Sequence, residues 1–203
     1  MTIKPNEPWG SEVERPADLV VVDSDAALAE HLAEGDVKPV GVAGGDLFRT
    51  LGARPIADRT VLRCLPLDVV RLRLDGGAPR TAVAHVVVRS PWWRGSWWRG
   101  PVSVVMNAEF LGAWDVAPRG HPNDGRVERF DLDPRTSLRQ RSAIRGRLPS
   151  ASHLPHPSID RRVAKRHLIE RERPAEVWAD GRRLGRARTI DIEVVADGAA
   201  IHA

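Results

Sequence analysis

Cationic and aromatic side chains dominate the residues of this chain that could do chemistry. Between Arg135 and Arg173, the residues Arg139, Arg141, Arg145, Arg147, Arg161, Arg162, Lys165 and Arg166 make a local positive block. Guanidinium groups bind phosphate oxygens bidentately, so the block suits phosphate or anionic lipid headgroups, while a solvated face balanced by nearby acids explains it as well. Upstream, SPWWRGSWWRGPVSVV (Ser90–Val105) holds four of the seven tryptophans, in a chain with no tyrosine and three phenylalanines. Gly95-Ser96 is a good type II′ pair for a two-residue hairpin. Strand alternation would then set Trp92, Arg94, Trp97 and Arg99 on one face, guanidinium against indole, with Trp93 and Trp98 on the other. Pro91 and Pro101 place such a hairpin at an edge or tip. Its first face is a candidate for lipid or headgroup contact, because indole and Arg suit a membrane interface, and its second for local packing. His153 and His156 lack a cysteine and sit beside Pro155 and Pro157, so they read as turn residues rather than a zinc pair. No Gly-x-Ser-x-Gly elbow supports Ser-His-Asp catalysis.

These groups need a scaffold, and 203 residues allow one sizeable domain or a domain with an appendage. Cys64 is the only cysteine, which excludes an internal disulfide and a thiolate metal cluster and suits a reducing cytoplasm. No window approaches the roughly 18–20 apolar residues of a membrane span, so integral insertion is not expected, while peripheral contact stays open. The pI near 10.1 accompanies a net charge of only +4. With no Tyr and only Lys4, Lys38 and Lys165 as lysines, little titrates between about pH 8 and 11, so a small cationic excess lifts the pI without implying nucleic acid. Residues 1–16, with three prolines, read as a loose tail. Residues 17–55 read as one βαβα unit: a strand at Leu19–Val22, an Asp/Ser cap at 23–25, a helix ended by Gly35, then a strand entering a glycine turn. From residue 56 to 203 short Val/Ile-rich strands separated by Asp-Gly or Gly-Gly pairs predict a mainly β fold, a sandwich or distorted barrel, with one helix over 136–146.

Two blocks are more specific. MNAEFLGAWDVAPRGHPNDGRVERFDLD (Met106–Asp133), and RLPSASHLPHPSIDRR followed by PAEVWADGRRLGRARTIDIEVV, resemble the C-terminal half of the bacterial diacylglycerol kinase and sphingosine-kinase-like lipid kinases. Asn107, Gly112, Ala117-Pro118, Asn123-Asp124-Gly125, His153 and Asp180-Gly181 carry the resemblance, in order and at matching spacing. Upstream, PVGVAGGDLFRTLGA resembles the family's P-x-G-T-x-N-D-x-A-R-x-L-G turn. The resemblance implies ATP and Mg²⁺ as cofactors and a lipid hydroxyl as phosphoryl acceptor. It places Asp46 and Asp180 at catalytic positions, Gly44, Gly45, Asp46 and Arg49 at the nucleotide, and a structural Mg²⁺ on Asn123 and Asp124.

Departures from the family pattern fall on the phosphoryl-transfer parts. The family's GGDGT cradle corresponds to VVDSDAA, where Asp23 is the matching acid, or else to Gly44-Gly45-Asp46 followed by Leu47-Phe48. The glutamate of the family's D-G-E turn, its base, is Arg182 here, and Arg cannot accept a proton. The resemblance therefore implies a divergent protein that recognises a lipid or its headgroup at a membrane surface. Phosphorylation would follow only if the incomplete nucleotide site works or is completed by a separate nucleotide-binding chain or a homodimer. The alternative is a non-catalytic module for lipid, anion or partner. The expected location is the cytoplasm or the inner face of its membrane, with no nucleic-acid partner.

Overall fold

The computed structural model describes residues 8–35 and 38–203. In chain order its elements are β1 (Ser11–Glu14), β2 (Val20–Val22), α1 (Asp25–Ala33), β3 (Val40–Val42), α2 (Gly45–Thr50), β4 (Val61–Leu74), β5 (Arg80–Ala82) and β6 (His85–Arg89). There follow β7 (Val102–Met106), β8 (Phe110–Leu111), β9 (Trp114–Asp115), β10 (Val127–Leu132), α3 (Leu138–Arg147), β11 (Ile159–Ala164), β12 (Arg166–Ala179) and β13 (Arg182–His202). The fold is mainly β, as the strand pattern predicts. Most strands join one large sheet in the order β1-β4-β13-β12-β6-β7-β10-β11, which does not close into a barrel. No helix among the described residues is long and apolar enough to cross a membrane.

Two strands organise this sheet. β4 pairs antiparallel with β13 from Ile190↔Leu74 to His202↔Cys64, with a register break between Val195 and Ala199. At the break Asp197 takes φ +51°, and a Cβ on Gly198 would lie 2.9 Å from both Val195 O and Val69 Cβ. The bulge bends β13 and divides its burial between two cores. Before it, Ile190 and Ile192 pack with Val70, Leu72, Val86, Val177 and neighbours. Beyond it, Ile201 and Ala203 pack with Leu65, Leu67, Leu28, Val40, Val42 and Leu47. The βαβα unit is thus built onto the end of the sheet, β3 running parallel to both β2 and β13.

The N-terminal tail expectation is corrected in part. Residues 1–7 lie outside the described ones, but Ser11–Glu14 is a strand pairing antiparallel with β4. Trp9 anchors it: Nε1 donates to Pro66 O (3.1 Å), and the indole meets His121 edge-on at 4.4 Å. The prolines that suggest a tail flank the strand and leave its pairing residues free to donate.

A buried carboxylate staples the loop before β10 to the sheet. Asp68 in β4 is fully buried. Its oxygens accept Gly125 N (2.5 Å), Asp197 N (2.9 Å) and Asn123 Nδ2 (3.2 Å). Asp68→Ala would leave three donors without this acceptor, and unmet buried donors cost about 1–3 kcal/mol each. The variant is expected to lose about 3 kcal/mol or more by urea denaturation, and Asp68→Asn, which keeps one acceptor, to lose less.

Candidate functional site

Helix α1 begins with Ser24, whose hydroxyl accepts Ala27 N at 3.3 Å, an N-cap of the expected kind. The following residue, Asp25, is buried and turns its carboxylate onto the start of α2, accepting Asp46 N (2.6 Å) and Leu47 N (3.1 Å). This contact explains both glycines of the turn. A Cβ on Gly44 would lie 2.3 Å from Asp23 O, and one on Gly45, at φ +96°, 2.4 Å from Asp25 Oδ1. Gly44 and Gly45 are therefore needed so that α1 and α2 can approach each other. The residues present do not fit a nucleotide phosphate, because the chain's own carboxylate occupies the amides that would bind one. Asp25 escapes sequence reasoning, which looks to Asp23; its place in the first turn after Ser24 is the available signal.

Asp46 and Arg49 face the other way, towards β8. The Asp46 carboxylate accepts Gly112 N at 2.9 Å through both oxygens and lies 3.5 Å from Nδ1 of buried His85. Arg49 Nη1 donates to Gly112 O at 2.8 Å while its guanidinium lies 3.9 Å from the Phe110 ring centroid. His85 has no distinguishing sequence signal, standing in the apolar run AVAHVVVRS. Burial lowers its pKa, and the attraction of Asp46 only partly opposes that, so the imidazole is neutral at neutral pH.

Asp180 occupies the first position of the two-residue turn between β12 and β13, with φ +49° before Gly181 at +79°, a type I′ pair. Its buried carboxylate points inward and accepts Val83 N (2.8 Å), Ala84 N (2.9 Å) and His85 N (3.0 Å). Both oxygens hold the backbone that carries His85, so Asp180 is a positioning residue. At the first residue of β13, Arg182 forms an ion pair with Glu30 of α1.

Asn123 and Asp124 do not assemble a cation site. The Asn123 amide nitrogen bridges two carboxylates, Asp68 Oδ1 and Asp197 Oδ1 (2.9 Å), with the positive end of a dipole rather than an ion. Asp124 Oδ1 accepts Arg126 N at 3.0 Å, and no metal-binding group of three His, Cys, Asp or Glu exists among the described residues. This arrangement does not fit Mg²⁺.

The double Trp-Trp-Arg-Gly segment is not a hairpin. Trp92–Arg94 forms a 3-10 turn after Pro91, and its hydrogen bonds are local: Arg94 N to Pro91 O (2.9 Å) and Trp98 N to Gly95 O (2.7 Å). Gly95 at φ +95° folds the chain over Arg99, whose side chain would touch a Cβ there. The anticipated faces are accordingly corrected. Trp97 turns inward and meets Trp114 edge-on at 5.7 Å, whereas Trp92, Trp93 and Trp98 are exposed together with Arg94 and Arg99. The guanidiniums placed over indoles come from elsewhere: Arg89 over Trp97 and Trp178, Arg145 over Trp98 and Trp114, and Arg186 over Trp93.

Between these elements lies a cleft of about 590 Å³ whose walls include Asp46, His85, Arg89, Arg145, Trp178 and Gly181. It adjoins an apolar cavity of about 100 Å³ under α3, walled by Val104, Val116, Phe130, Ile144, Leu148 and others. Trp97, Leu111, Trp114 and Arg145 line both. His153 also lines the apolar cavity, its Nε2 held 3.2 Å from Val116 O; His156 accepts Ser158 N instead, so the two histidines share no ligand. The site is amphipathic, with acceptors and two guanidiniums at one end and hydrocarbon at the other.

The same architecture occurs in a solved protein of Bacillus anthracis str. Sterne assigned as a diacylglycerol kinase, at TM-score 0.66 and 16% identity over 91% of this chain and 77% of that one. A further diacylglycerol kinase structure from that organism gives 0.61 and 17%, over 91% and 75%. This chain has a diacylglycerol-kinase-like fold. No family model and no curated protein sequence matches it. At these identities the likeness establishes the fold alone.

Burial pushes Asp25 up to about 6 and Asp180 up to about 7, against the backbone N–H groups that favour their ionised forms. A carboxyl raised on folding stabilises below its unfolded pKa near 4, and that contribution is lost as pH rises through the folded value. Asp25→Asn removes one such group. The stability advantage of the wild type over this variant is expected to be largest near pH 4 and to shrink by roughly 2–3 kcal/mol by pH 7, read by urea denaturation at each pH.

Proposed function

We propose that this protein binds a hydroxyl-bearing lipid of the diacylglycerol class without phosphorylating it on its own. The observation that carries the reading is the common wall of Trp97, Leu111, Trp114 and Arg145 between the polar cleft and the apolar cavity. A lipid hydroxyl in the cleft would meet the Asp46 carboxylate as acceptor and Arg89 or Arg145 as donors. The first methylenes of one acyl chain would pack against the wall that Trp97 and Trp114 form together, where apolar burial favours binding by about 0.8 kcal/mol per methylene.

The same residues support the non-catalytic part. Asp25 takes the amides that a phosphate would need, and Arg182 stands where the family's base is expected, paired to Glu30. Neutral His85 beside Asp46 offers hydrogen bonding in the cleft, but no group there is arranged to hold Mg²⁺ against a triphosphate.

Dioctanoylglycerol, which disperses in water, tests this directly. Titration is expected to change the tryptophan fluorescence saturably, and Leu148→Trp, which narrows the apolar cavity from a half-buried position, to weaken binding at least tenfold. Absence of binding by the wild type would overturn the lipid reading. Incubation with Mg·ATP and the same lipid is expected to yield no phosphorylated product, and turnover by the isolated chain would overturn the non-catalytic part.

A further inference from the structure

Beside the apolar cavity, exposed aromatic surface combines with a local excess of positive charge. Trp92, Trp93 and Trp98 are 75%, 49% and 39% exposed, and Leu138 at the start of α3 is 50% exposed. Surface apolar residues scattered singly need no explanation, but three indoles on one loop form a patch. The loop and helix are one unit, because buried Arg141 of α3 donates to Trp97 O (2.9 Å) and Gly100 O (2.6 Å), while Arg145 lies over Trp98. A buried guanidinium spent on backbone carbonyls fixes the loop against the helix rather than binding a ligand.

The charge on this unit has one sign. Residues 91–100 contain Arg94 and Arg99 and no acid, and residues 138–150 contain Arg139, Arg141, Arg145 and Arg147 and no acid. All of these but Arg141 are exposed, and exposed Arg186 adds a guanidinium 4.3 Å from the Trp93 ring centroid. Glu170 and Glu172 share a groove with Arg94, but Arg171 and Arg173 line the same groove. Indole prefers the headgroup level of a bilayer, and each Arg near an anionic surface adds about fivefold in partition, the equivalent of about 1 kcal/mol.

We propose that the 91–100 loop and α3 form a docking face for the surface of an anionic lipid bilayer, with Trp92, Trp93 and Trp98 entering the headgroup layer. Trp97 and Trp98 of the loop and Arg141, Ile144 and Arg145 of α3 line the apolar cavity, so a docked molecule would take up lipid without its acyl chain crossing water. That purpose rests on the lipid reading of the cavity, whereas the docking itself does not. An acidic polypeptide or a nucleic acid would match the charge but leave the indoles unburied.

Co-sedimentation with vesicles of phosphatidylglycerol and phosphatidylcholine tests the face, alongside pure phosphatidylcholine vesicles and vesicles carrying brominated acyl chains. Expected are salt-sensitive binding to the anionic vesicles, much weaker binding to the neutral ones, and bromine quenching of tryptophan fluorescence. Replacing Trp92, Trp93 and Trp98 together with Ala is expected to lower partition at least tenfold and abolish most quenching, while the variant still folds and melts cooperatively because its core is untouched. Arg139→Glu with Arg147→Glu, an independent variant at exposed positions, is expected to lower anionic binding at least thirtyfold. Leu148→Trp should keep vesicle binding while losing dioctanoylglycerol, which separates docking from lipid uptake. No partition by the wild type, wild-type partition by the triple Trp variant, or unquenched binding matched by polyglutamate or duplex DNA would overturn the proposal.

Discussion

The buried break between β5 and β6 sets the geometry of the whole protein. Val83 and Ala84 are fully buried yet belong to no strand, so their peptide groups need partners that no ladder supplies. Asp180, nearly a hundred residues away in sequence, accepts the N–H groups of Val83, Ala84 and His85, and its own N–H donates to His85 O at 3.0 Å. Asn107 completes the set: Nδ2 donates to Val83 O (2.8 Å) and Asp68 O (2.9 Å), while the backbone N–H groups of Asn107 and Ala108 donate to Ala84 O. Four chain segments, at Asp68, residues 83–85, residues 107–108 and Asp180, therefore meet at one point, and His85 emerges from it aimed at Asp46.

The neighbouring turn into α2 is closed in the same way, by a buried carboxylate on backbone amides. A helix start with free amides beside glycines would be open to an anion. Here the anion is Asp25, held in place by burial and by the two amides it accepts, and Gly44 and Gly45 serve its approach. The Arg182–Glu30 ion pair ties the β12–β13 turn to the same helix. Being more than half exposed, it contributes little to stability, but it directs a cation away from the cleft. At this corner of the diacylglycerol-kinase-like fold, the amides at the start of α2 and the Arg182 guanidinium are both engaged in internal contacts.

Much of this backbone was legible in the sequence, because Val/Ile alternation and Asp-Gly turns are local signals. Asp180-Gly181 adopts the two positive φ angles its composition favours, and Ser24 and Ser137 cap α1 and α3. The Trp segment departs from the expected hairpin because Gly95-Ser96 fits either a hairpin or the end of a 3-10 turn. What decides is Arg141, a buried side chain more than forty residues away that holds two carbonyls of the loop. The roles of Asp25, His85 and Asn123 were illegible for the same reason: each depends on a partner brought close by tertiary structure, and none differs locally from an ordinary cap, core or turn residue.

The cleft that remains is better suited to holding a hydroxyl than to activating it. A general base must carry its charge in a form the substrate can reach, within hydrogen-bond distance of the proton it takes. Asp46 already accepts the Gly112 amide through both oxygens, and burial keeps His85 neutral with Nδ1 facing that carboxylate. No group of three His, Cys, Asp or Glu among the described residues stands ready to hold the Mg²⁺ that absorbs charge during phosphoryl transfer. The two guanidiniums in the cleft lie over indoles, Arg89 on Trp97 and Trp178, Arg145 on Trp98 and Trp114. Stacked in this way they stiffen the mouth of the apolar cavity and keep donors directed at the cleft, which favours affinity and orientation over turnover. The Trp-rich loop and the cleft therefore share one set of cations, so whatever orders the loop at a surface also orders the donors that would meet the lipid.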